Sequence, residues 1–101
     1  MTGVSLADLT ADHFEPLIGE EFRVVHPDHP DVLTLERVAR AGSRGGPRPQ
    51  FSLFLRGRSR TVMFNQNTLP LESEALGRLE LFTVPVGRDA EGRFEYQIVF
   101  N

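Results

Sequence analysis

After Gly19 the apolar residues of this chain recur at every second position within short stretches separated by turn residues, and that period constrains the fold more than any other feature. Successive side chains of an extended strand point to opposite faces, so residues i, i+2 and i+4 share one face. In FSLFLRGR (51–58), Phe51, Leu53 and Leu55 fall on one face, and Ser52, Phe54 and Arg56 on the other. In RFEYQIVF (93–100), Phe94, Tyr96, Ile98 and Phe100 oppose Glu95, Gln97 and Val99. Four further strands are read in EFRVVH (21–26), VLTLERVAR (32–40), TLPLES (68–73) and RLELFTVPV (78–86), the last apolar on both faces towards its middle. Pro70 cannot donate to a ladder, which predicts an edge or a bulge for TLPLES. GRDAEG (87–92) has the glycines and acids of a short hairpin loop joining the last two strands.

Ahead of Gly19 the pattern changes. SLADLTADHFEPLIG carries Leu6, Leu9, Phe14, Leu17 and Ile18, with Ser5 or Thr10 as candidate caps, and predicts short helical turns within 5–18 that break near Pro16 and close at Gly19. The expected fold is mainly β: one domain over residues 1–101, with 20–101 forming an antiparallel meander or small barrel of about six strands. The short N-terminal helical segment would plug an open end or cover an edge through Phe14, Leu17 and Ile18. A chain of 101 residues buries one core without staples.

The composition excludes several functions. No run approaches the roughly 18 apolar residues of a membrane span, and MTGVSLADLTADHFEPLIG lacks the basic, apolar and small-residue order of a secretory signal, so cytoplasmic synthesis is expected. Cysteine is absent, which removes disulfides, thiolate nucleophiles and cysteine-based metal sites. All eleven basic residues are Arg, a bias attributed first to genome composition and only second to bidentate guanidinium chemistry.

Two stretches hold the chemistry-bearing residues. HPDHPD (26–31) offers His26, Asp28, His29 and Asp31 as metal ligands, with His13 as a distant third imidazole. Pro27 and Pro30 push His26 and His29 towards extended backbone, so the imidazoles need not converge, and Pro-Asp stretches form turns. A solvated loop between two strands therefore accounts for the segment, and no cofactor is expected. The second stretch runs from Arg37 to Leu71, where seven Arg and no acid give a formal +7 within a remainder of −10. It reads as cross-strand charge pairing that holds register, or as a basic surface for an acidic protein partner. The net charge of −3 and the want of an aromatic-interleaved basic motif weigh against nucleic acid. GSRGGPR lacks the Gly-Lys-Ser/Thr ending of a P-loop, there is no GxSxG, and Glu72 with Glu74 or Glu20 with Glu21 read as solvated faces.

LGRLELFTVPVGRDAEGRFEYQIVFN (76–101), FEPLIGEEFRV (14–24) and FSLFLRG (51–57) together resemble a family of small uncharacterised bacterial domains. Its pattern is an F-x-x-L-x-G-x-x-F opening and a G-x-L-x-L-F-x-x-P-V-G ending, closed by a terminal Tyr, Val, Phe, Asn cluster. The resemblance implies no reaction, cofactor or catalytic residue. For some members it implies a neighbourhood with microcystin-dependent or phage-tail-collar-like proteins, and so points to assembly or partner binding. Where relatives have Pro-x-Gly-x-Tyr before the fourth strand, this chain reads MFNQNTLPL, which leaves the pairing of that edge open. Gly19, Gly57, Gly77 and Gly87 are expected at strand ends where positive φ is useful, and Leu79, Leu81, Phe82, Tyr96 and Phe100 in the core.

The function expected from these residues is a non-catalytic structural or interaction module that docks on a protein or on itself. Arg44, Arg48, Arg56, Arg58 and Arg60 would steer the partner with Phe54 as apolar anchor, or TLPLES would add a strand from another chain. The alternatives are a metal- or small-ligand-binding domain using HPDHPD, and anion or nucleic-acid binding through the Arg-rich 37–60 segment.

Overall fold

A computed structural model describes residues 9–26, 28–40 and 50–100. Its elements are α1 (Ala11–Phe14), continued by a 3-10 turn at Glu15–Leu17, then β1 (Glu21–Val24), β2 (Asp31–Arg40), β3 (Phe51–Gly57), β4 (Asn67–Ser73), β5 (Gly77–Arg88) and β6 (Phe94–Phe100). The six strands close into a barrel in the order β1-β2-β3-β6-β5-β4, every neighbouring pair antiparallel. Mainly β, six-stranded and helix-capped is as the sequence predicts, and of the two expected arrangements the small barrel is the one formed, with an order that is not that of a meander. Consecutive β3 and β4 are not neighbours, because residues 58–66 cross the end of the barrel instead of turning back.

The interior is filled by the alternate residues. Phe22, Leu33, Leu35, Leu53, Leu71, Tyr96 and Ile98 are all at most 2% exposed. One end is closed by α1. Thr10, in extended conformation, starts the helix, and its N–H donates to His13 Nδ1 at 3.0 Å. Pro16 falls in the first turn of the 3-10 segment, where its missing donor costs nothing. Gly19, at φ 94°, ends the helical segment and donates its N–H to the Leu35 carbonyl. Phe14 enters the barrel mouth against Phe22, Phe51 and Phe100, while Leu17 packs from its edge. Ile18, expected to share this role, lies 47% exposed.

The crossing segment closes the other end. Phe64 is buried beside Tyr96, and the Asp31 carboxylate accepts the N–H groups of Val32 and Ser59. Gly57 is needed there for close approach and not for positive φ: a Cβ on it would sit 3.0 Å from Asp31 Oδ2 and 3.3 Å from Tyr96 Cε2.

Closure corrects the reading of TLPLES. β4 pairs with β1 and β5, so it is not an edge strand open to a second chain. The Pro70 carbonyl accepts the Val25 N–H, and in an extended strand a residue's nitrogen faces the same side as its carbonyl. The missing Pro70 donor therefore faces β1 just past its last ladder pair, Val24 with Leu71. By the same alternation Pro85 faces the side of β5 that β4, ending opposite Thr83, no longer covers, which blunts the one stretch of β5 left open there.

Candidate docking face on the outside of the barrel

Most charged residues on the outer surface are engaged with each other. Arg23 reaches Glu72 at 2.7 Å, Arg58 reaches Glu21 at 2.9 Å over β2, and Arg40 binds Asp12 and Glu15 at 2.6 and 2.8 Å, fastening α1 to the barrel. Those bonds raise the Arg40 pKa, and the hydrogen bond from Arg40 holds the Glu15 carboxyl below its ordinary value. Arg56 lies between Glu36 at 2.9 Å and Asp89 at 3.1 Å, although its Nε makes no hydrogen bond. Asp89 is held below the usual carboxylate range chiefly by the Arg93 N–H, helped by the Glu91 N–H and by the charges of Arg56 and Arg93.

This arrangement places the predicted site residues. Arg56 and Arg58 bind acids of their own chain, while Arg60 is exposed and has no ion pair among the described residues. Arg44, Arg48 and most of the 41–50 loop lie outside the described residues. The histidines serve turns. His26 Nδ1 accepts the N–H groups of Asp28 and His29, and His13, on α1, sits at the opposite barrel end from His26, whose ring is 6.2 Å from Phe64. Asp31 is occupied by two backbone amides. Among the described residues no three His, Asp or Glu side chains converge as metal ligands.

One side of the barrel differs. Across β5, β6 and β3 the outward residues Phe82, Val84, Val99, Gln97, Ser52 and Phe54 form an uncharged band, in register through Val84 with Gln97, Gln97 with Phe54, and Val99 with Ser52. Phe82 is 51% exposed and Val99 50%, so the expectation of a core Phe82 fails: it follows Leu81, and alternation turns it outward. Phe54 is half-buried because the Arg37 guanidinium lies 4.0 Å from its ring centroid, a cation–π contact that covers the ring.

Two β-bulges frame this band. Registers shift between Leu35 and Arg37 in β2 and between Pro85 and Gly87 in β5, leaving Glu36 and Val86 as the extra residues. Both bulges adjoin one row, Leu35–Leu55–Tyr96–Pro85, and between them lies a hollow of about 330 Å³ lined by Glu36, Arg37, Phe54, Leu55, Val86 and Glu95. Bulges re-aim side chains and concentrate beside functional sites. Larger hollows of about 580 and 570 Å³ share Arg23 and Glu72, themselves ion-paired; the first is lined mostly by charged side chains, and the second by Val24, Val25, Pro30 and Val32 beside Arg23, Arg58 and Glu72. Phe54 and Arg56 are among the residues expected from the sequence, and Arg37 only as the start of the Arg-rich segment, whereas Glu36, Val86 and Glu95 are not. The signal was present: apolar residues fall at Leu33, Leu35 and then Val38, a slip of one at Glu36.

The model of a family described as a domain of unknown function, DUF6916, matches residues 9–100. The chain belongs to this family. The match to DUF6916 runs from the start of the described N-terminal segment through β6 and so takes in both plugs and the bulge-framed face. No curated protein and no solved structure matches the chain. Among the described residues of this DUF6916 chain, no helix is long and apolar enough to cross a membrane.

Proposed function

We propose that this chain is a non-catalytic structural or protein-interaction module that docks through the uncharged band over β5, β6 and β3. One observation carries the reading: an outer surface otherwise laced with ion pairs gives way, on this side alone among the described strands, to exposed Phe82, Val86 and Val99 around a bulge-framed hollow. Interface cores are depleted in charge and built on aromatic and aliphatic anchors. The proposed contact thus moves from the Arg segment to the band, keeping Phe54 as the floor of the hollow. The setting we propose is a cytoplasmic multiprotein assembly, of which a phage-tail-like one is the case the family resemblance suggests.

The test is capture of partners from native lysate by the tagged chain. Phe82→Glu with Val99→Glu should abolish retention, and Arg60→Glu should leave it intact. Retention lost with Arg60→Glu and kept in the band variant would return the contact to the Arg segment.

A further inference from the structure

We infer that the partner of the bulge-framed face is a second copy of this chain, joined in a weak two-fold dimer. The inference rests on the docking reading above and commits it to one occupant.

The face carries both halves of a self-complementary contact. Phe82 projects from β5, half exposed, and the hollow beside Val86 and Phe54 lies four residues further along the same strand, about 13 Å away at strand rise. A two-fold axis lying in the face and crossing β5 at Val84 exchanges these positions. Each Phe82 then enters the other copy's hollow, and Val84 meets Val84. An isologous interface demands this reciprocity: residue i on j, and j on i.

Charge agrees. The chain carries a net charge of −3, so two copies repel wherever their acidic surfaces meet. The band's own residues are uncharged, and the hollow at its margin holds Glu36, paired with Arg56, Arg37, folded onto Phe54, and Glu95. Under this two-fold the hollow of each copy, with Glu36 and Glu95, faces Phe82 of the other, so carboxylates do not oppose carboxylates. Size sets the affinity: the face offers fewer residues than the roughly 20–30 per side of a standard stable interface. The dimer should therefore be reversible and dependent on concentration.

Sedimentation equilibrium of the full chain over a wide concentration range tests this. Wild type should show a monomer–dimer equilibrium, weakened about tenfold or more by Phe82→Glu and by Val86→Glu, and unchanged by Val25→Glu, an exposed apolar position off the band. Because the chain has no cysteine, a mixture of Phe82→Cys and Val86→Cys variants should form an intermolecular disulfide under mild oxidation, and Phe82→Cys alone should form far less. Wild type that stays monomeric throughout, or a dimer indifferent to both charged variants, overturns the inference. Either result leaves the docking reading to the lysate experiment, whose outcome depends on a different partner.

Discussion

The Tyr96 hydroxyl accepts a hydrogen bond of 3.0 Å from the Phe64 N–H, tying β6 to the segment that crosses the barrel end. Tyr96 is fully buried and Phe64 nearly so, so removing the acceptor strands the amide away from water. Tyr96→Phe should cost about 1–3 kcal/mol, read as a lower urea midpoint with unchanged slope. Phe64→Ala, which empties the plug itself, should cost more, about 3–5 kcal/mol.

The same hydroxyl predicts an alkaline limit. Burial raises the Tyr96 pKa, the Phe64 N–H opposes that rise, and the nearby Asp31 charge adds to it. A folded-state value above the unfolded one contributes stability fully present below about pH 10 and lost as pH rises through the folded value. Alkaline unfolding should coincide with the appearance of phenolate absorbance, which reports this residue alone because the chain has one tyrosine.

On the acid side the sign reverses. Asp89 and Glu15 are held below their ordinary values, Asp89 chiefly by the Arg93 amide and Glu15 chiefly by Arg40. Their contribution is complete above the unfolded carboxylate range near pH 4 and is lost as pH falls through the folded values. The thermal midpoint should drop below about pH 4, and Asp89→Asn should flatten that drop.

Gly57→Ala tests close approach. Its Cβ would meet Asp31 Oδ2 at 3.0 Å, and Asp31 cannot yield without releasing the Val32 and Ser59 amides. The expected cost is about 1–3 kcal/mol by chemical unfolding. Gly87→Ala, whose nearest neighbour is the Glu95 carboxylate at 3.5 Å, should cost less.

The His26 ring serves the backbone that follows it, and zinc tests the metal reading of HPDHPD. With His26 Nδ1 spent on the Asp28 and His29 amides, zinc should leave the thermal midpoint unchanged. His26→Ala should lower the stability slightly, by about 0.5–1.5 kcal/mol for the lost bonds. A zinc-dependent rise abolished by His26→Ala would restore the metal reading.

The strands were legible in the sequence because one face of each is buried, and burial enforces a period of two: Phe51, Leu53 and Leu55 lie where alternation puts them. Closure was not legible, since pairing β3 with β6 and β1 with β4 joins segments far apart in sequence and leaves no local mark. Pro70 was read as an edge because the chain does not reveal that β1 stops at Val24. The candidate face was half legible. Phe54 was found by alternation, whereas Phe82 was misplaced by its hydrophobicity, and the bulges at Glu36 and Val86 showed only as slips in the period.

The most direct test of the account is an amide NMR dilution series on uniformly labelled protein. Shifts that change with concentration should cluster at residues 52, 54, 82, 84, 86, 97 and 99, and vanish in Phe82→Glu. Spectra independent of concentration, or changes centred on Arg23 and Glu72, would contradict it.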